Sequence, residues 1–158
     1  KRPHVGKYPG RKYPSGGRCR VISENVKALV VYRIEQAEES LVASKVLLDR
    51  DLIRPSVNRS YYGMFYAVLA LLAARKEETS KHSGAIALFD REFVKTGVFP
   101  KEFSRWLHDA FDLRQRSDYS PEAFIGKDKA AEIYKQAESF VNHVKTELER
   151  ICGRGAKT

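Results

Sequence analysis

Val57-Asn58-Arg59-Ser60-Tyr61-Tyr62-Gly63-Met64-Phe65-Tyr66-Ala67-Val68-Leu69-Ala70-Leu71-Leu72 is the stretch that decides the fold. Val57, Tyr61, Met64, Phe65, Val68, Leu69 and Leu72 recur at steps of three and four, the spacing of one helix face. Tyr62, Tyr66 and Leu71 extend that apolar surface almost all the way round. A helix with no polar side to offer water belongs in the centre of a bundle. Pro55 suits its first turn, where a missing N–H costs nothing, and Arg54-Pro55 closes the connector before it.

Outward from this segment the apolar residues keep helical spacing. A first helix, with Ser23 as its cap, carries Ile34, Ala37, Leu41, Ser44 and Leu48 on one stripe. The polar run Lys76-Glu77-Glu78-Thr79-Ser80 reads as a loop, with Ser80 the expected cap of a third helix bearing Ile86, Phe89 and Phe93 that Gly97 and Pro100 end. A fourth starts near Lys101 and aligns Phe103, Leu107, Ala110 and Leu113, widened by Trp106, until Asp118-Tyr119-Ser120-Pro121 breaks it. A fifth runs from about Asp128 through Ile133, Ala137, Phe140, Val144, Leu148 and Ile151 to Gly153. The expected fold is all-α, an up-and-down antiparallel bundle of about five helices over residues 23–153. A basic Gly/Pro-rich tail (1–22), either disordered or foreign to the native chain, precedes it, and a short basic tail (154–158) follows.

The formal net charge of +9 suggests a nucleic-acid binder, but its distribution weakens that reading. Lys1, Arg2, Lys7, Arg11, Lys12, Arg18 and Arg20 supply seven of the positive charges, and Arg154 and Lys157 two more, which leaves residues 21–152 formally neutral. The tail can hold a phosphate backbone without sequence preference, whereas a basic groove on the bundle has to come from arrangement. Cys19 and Cys152 give neither a disulfide framework nor a metal-ligand spacing, so a reducing, cytoplasmic setting is expected. No apolar run approaches the roughly 18–20 residues of a membrane span. His4, His108 and His143 are isolated, and there is no glycine-rich phosphate loop, so neither a metal site nor a cofactor is expected.

The chemistry-bearing residues gather in Leu113-Arg114-Gln115-Arg116-Ser117-Asp118-Tyr119 and at the head of the central helix. Arg114 continues the stripe of Phe103, Leu107 and Ala110, so its guanidinium should emerge at the edge of an apolar face. There it either lies over aromatic surface and pairs with Asp118, or serves as the fixed, planar cation that a phosphodiester needs. Asp112 and Arg116 are spaced for a surface ion pair. Asn58, Arg59 and Tyr62 are candidates for binding RNA or a nucleotide, since aromatics interleaved with arginine stack on bases, although aromatic stripes also make ordinary cores. His82, in Lys81-His82-Ser83-Gly84, is placed either to cap the third helix or to join that surface.

Taken in order, the Asn58–Ala67 run, the Lys81–Gly84 phrase and the Leu113–Tyr119 segment resemble the HEPN family over roughly Ile34 to Leu148. The resemblance implies a helical bundle that dimerises around a cleft, acts on or binds RNA, and is paired with a nucleotidyltransferase partner as in a toxin-antitoxin system. In the family's active ribonucleases an Arg is followed, after four to six residues, by a His. Here Arg114 is followed after four residues by Tyr119, and a phenol in general, with an unperturbed pKa near 10, is ill suited to moving protons near neutral pH. The implied outcomes are a metal-independent endoribonuclease using Arg114, Asp118 and Tyr119, with Asn58, Arg59, Tyr62, His82 and Arg116 holding RNA, or a non-catalytic module that binds a partner protein or nucleotide.

Overall fold

A computed structural model describes residues 22–122 and 124–153. The expected tails 1–22 and 154–158 fall almost wholly outside the described residues, only Ile22 being among them. The five α-helices are α1 (Glu24–Asp49), α2 (Ile53–Ala74), α3 (His82–Phe89), α4 (Lys101–Tyr119) and α5 (Lys127–Gly153), and among the described residues there is no strand. The fold is the all-α bundle that the periodicity predicts. No described helix is long and apolar enough to cross a membrane.

α2 is the axis. It packs against α1, α3, α4 and α5, and Val57, Tyr61, Met64, Ala67, Val68, Ala70 and Leu71 are sealed from solvent. Ser23 caps α1 by accepting from the Val26 N–H at 3.3 Å. The α1–α2 turn is tight enough to place Asp51 in the left-handed region, a conformation that Asp tolerates better than most residues.

Two features bring α1 unusually close to α2. A Cβ at Gly63 would lie 3.0 Å from Leu41 Cδ2 and 3.5 Å from the Ala37 carbonyl oxygen, so even a methyl group there would require the Leu41 side chain to give way. Beside it runs a buried serine ladder. Ser44 Oγ donates to the Ser56 carbonyl at 2.9 Å, Ser56 Oγ donates to the Ser44 carbonyl at 2.9 Å, and the Ser44 and Ser60 hydroxyls meet at 2.7 Å. Buried hydroxyls are tolerated because each has a partner, the condition for placing polar groups in a core.

At the far end the core is aromatic. Phe140 of α5 has no exposed surface and packs against Phe89 at 5.3 Å, Phe103 at 5.6 Å and Phe99 at 6.5 Å between ring centroids. α3 leads into a single π-helical turn over Asp90–Val94, closed by Lys95 N–H donating to the Asp90 carbonyl at 2.8 Å. That turn carries Phe93 into the cluster and brings Asp90 to His108 Nε2 of α4 at 2.8 Å.

One sequence expectation is corrected at the start of α3. The N-cap is Lys81, not Ser80, and no side chain caps this end. Thr79 holds the turn instead, its Oγ1 accepting from the Lys81 N–H at 3.3 Å. His82 is thereby freed from capping and turns inward.

Candidate functional site

The site forms where the first half of α2 faces the C-terminal half of α4 and the first residue of α3. Tyr62 of α2 is its hub. The guanidinium carbon of Arg59 lies 4.7 Å from the Tyr62 ring centroid and that of Arg114 lies 5.2 Å from it, while the His82 ring meets it edge-on at 5.8 Å. Cations over an aromatic face are attracted by its quadrupole, so Tyr62 can hold two fixed charges whose mutual repulsion would otherwise part them.

Arg114 reaches this position because α4 points its apolar stripe at α2. Its side chain is 19% exposed, and its guanidinium also sits 5.5 Å from the centroid of the buried Tyr61 ring. Asp118, one turn on, approaches Arg114 Nε to 3.5 Å. That is near enough for charge attraction but is not aligned as a hydrogen bond, and the buried Nε proton has no acceptor among the described residues. The expected Asp112–Arg116 pair does not form among the described residues.

His82 is tied to the same cluster. Its Nδ1 is 2.8 Å from the Tyr61 hydroxyl, and its ring stacks on Phe65 at 4.1 Å with the planes 3° from parallel. Burial, and secondarily the Arg114 charge, push the His82 pKa below the ordinary histidine value. Burial also raises the Tyr61 phenol well above its usual range, so it stays protonated.

These shifts carry a testable consequence. The unfolded chain binds a proton at His82 more readily than the folded one, so stability is full above about pH 6.5 and falls as the pH drops below it. Thermal melts at pH 7.5 and 5.5 should show a smaller acid-induced drop for His82→Gln than for the parent. Equal drops would show that the imidazole is not held in its neutral form.

Asn58 and Arg59 stand on the outer edge of the site. Asn58 Oδ1 accepts from Arg59 Nη2 at 2.9 Å and from Nε at 3.2 Å, which fixes the guanidinium against Tyr62. Both line a groove of about 470 Å³ together with Leu47, Arg54, Pro55, Ser117 and Asp118. Ser117 is buried there with a hydroxyl that has no partner among the described residues, and Arg54 Nη2 donates to the Pro121 carbonyl at 2.8 Å.

The structure thus brings together Asn58, Arg59, Tyr62, His82, Arg114 and Asp118. It does not draw in Tyr119, which is 83% exposed and points away from the cluster, and Arg116 is likewise exposed. Sequence reasoning passed over Tyr61, Phe65, Arg54 and Ser117. The available signal for the first two was their four-residue spacing on the face of α2 that also carries Tyr62. Among the described residues no group of three His, Cys, Asp or Glu side chains could hold a metal ion.

Comparison with known proteins converges on one family. Residues 30–148 match the HEPN domain model. The chain is 36% identical over 123 residues to a UPF0332 protein of Thermotoga maritima, covering 78% of this chain and 93% of that one. It is 34% identical over 131 residues to a Methanocaldococcus jannaschii protein named "Putative toxin MJ0142", covering 83% and 89%. A second protein of that organism, "Putative toxin MJ0605", is 35% identical over 130 residues, covering 82% and 93%.

Proposed function

The chain belongs to the HEPN domain family, and from that premise we propose that it is the toxin-like, RNA-directed component of a two-component system, cleaving single-stranded RNA without a metal ion. The observation that carries this reading is the convergence of Arg59, Arg114 and a neutral imidazole on the Tyr62 ring beside an open groove. Planar guanidinium groups suit the phosphodiester, and tyrosine faces suit bases. A chain whose described part is formally neutral thereby sets two of its fixed cations, Arg59 and Arg114, against one ring, and the toxin names of its relatives point the same way.

The partner in this proposal is a nucleotidyltransferase, and the working unit is a homodimer joined through α4. The partly buried Trp106 on that helix supplies aromatic surface for the contact. Purified protein should elute with twice the 18.0 kDa chain mass by light scattering and should cleave mixed cellular RNA in the presence of a chelator. A monomer at micromolar concentration would remove the dimer. RNA that stays intact would leave the non-catalytic binding module as the better account, a reading that the outward Tyr119, standing where the active members have His, favours.

A further inference from the structure

Resting on the ribonuclease reading, we infer that His82, held by Tyr61, is the residue that takes the proton from the attacking ribose hydroxyl, and that Tyr119 takes no part in the chemistry. The inference starts from an inventory of the site. Arg59 and Arg114 cannot give up a proton near neutral pH, and Asp118 stands against Arg114. Tyr61 is sealed in the core. His82 is the one group in the cluster built to exchange a proton in the useful range.

Its geometry is that of a positioned base. Tyr61 occupies Nδ1 at 2.8 Å, and the Phe65 face at 4.1 Å fixes the ring plane, so the imidazole has one orientation. Among the described residues Nε2 has no hydrogen-bond partner, and it is not sealed from solvent. When Nδ1 donates to the phenol oxygen, Nε2 presents its lone pair to whatever enters beside Tyr62. A third group thus orients the base, as in other positioned proton-transfer sites. Arg114 meets the same two tyrosines that His82 meets, and its charge is felt at the imidazole, so one phosphate with its neighbouring ribose can address both.

The step balances without any further reagent. His82 Nε2 removes the 2′-hydroxyl proton, and the 2′-oxygen forms a bond to the adjacent phosphorus. The bond from phosphorus to the 5′-oxygen breaks, and that oxygen leaves with the electron pair and takes a proton from water. The resulting hydroxide accepts the proton from His82, which restores the base. The products are a 2′,3′-cyclic phosphate and a 5′-hydroxyl. Arg114 faces the negative charge that grows on the phosphoryl oxygens. The groups that face His82 are Tyr61, Tyr62 and Phe65 from α2 and Arg114 from α4. Burial, and secondarily the Arg114 charge, favours the unprotonated imidazole at rest, and an anionic phosphate beside Tyr62 offsets that charge when the proton arrives.

The test uses the full chain and a mixed-sequence single-stranded RNA oligonucleotide, with rates measured between pH 5 and 9. The parent rate should rise through an acid limb centred below pH 6.5 and yield cyclic-phosphate ends. Folded His82→Gln should lose about a hundredfold or more in rate. Tyr61→Phe should lose less but move the acid limb, which a merely structural tyrosine would not, and Tyr119→Phe should match the parent. A parent that cleaves with no acid limb, or a folded His82→Gln with the parental rate and pH profile, overturns this inference and leaves the ribonuclease reading standing. A parent that does not cleave overturns both. If His82→Gln fails to fold, the parent's pH profile and the Tyr61→Phe shift decide alone.

Discussion

Arg114→Ala should reduce RNA cleavage by about 10²–10³-fold, the loss seen when one donor that meets developing charge is removed. The cost in stability should be small, about 1 kcal/mol, because what is lost is guanidinium contact with Tyr61 and Tyr62 and a misaligned attraction to Asp118. Deleting the cation also frees a buried Nε that has no acceptor, which lightens the cost further. Arg114→Lys should recover little, since an ammonium offers no planar fork to a phosphate and does not stack on a ring in the same way. Cleavage rates and thermal melts of the three proteins settle the matter. An alanine variant that cleaves like the parent but melts far below it would make Arg114 a scaffold residue.

Phe140→Ala should have the opposite signature and the largest effect on folding. The side chain has no exposure and touches Phe89, Phe99 and Phe103, so truncation leaves a cavity walled by rings that cannot all collapse inward. Such substitutions cost about 3–5 kcal/mol, a large share of the roughly 5–15 kcal/mol that holds a domain together. Denaturant midpoints should fall accordingly, while any folded fraction keeps the parental cleavage rate per molecule, because the cluster lies away from the Tyr62 site. A loss under about 1 kcal/mol would mean that the aromatic end repacks freely.

The bundle was legible because its deciding signal is local. α2 shows apolar residues on all sides, and only a central helix can bury them, so its place followed from its own sixteen or so residues. The π turn was not legible, since Asp90–Val94 reads as ordinary helix and the extra residue per turn is set by the packing of Phe93 and by Asp90 meeting His108. The site was legible in part for a similar reason. Arg114 and Asp118 share a stripe and come together, but Tyr119, five residues on, lies about 140° further round the helix and looks outward. The partnership of His82 with Tyr61 spans 21 residues and depends on how α3 docks, which no periodicity encodes. Ser80 offered a plausible cap, yet Thr79 won the turn and left the imidazole to the core.

The serine ladder has a consequence for how the two long helices can move. Apolar ridges alone permit sliding, since one groove resembles the next. A slip of α1 along α2 by one helical turn, about 5.4 Å, would part the Ser44, Ser56 and Ser60 hydroxyls simultaneously and strand them in a dry interface. Each stranded group costs about 1–3 kcal/mol, so the slipped arrangements lie well above the native one. Gly63 tightens the same lock by letting the backbones approach only where Leu41 and Ala37 stand. Translation between α1 and α2 is therefore quantised to a single position, and the hub residues one turn and less from Ser60 inherit a fixed longitudinal coordinate.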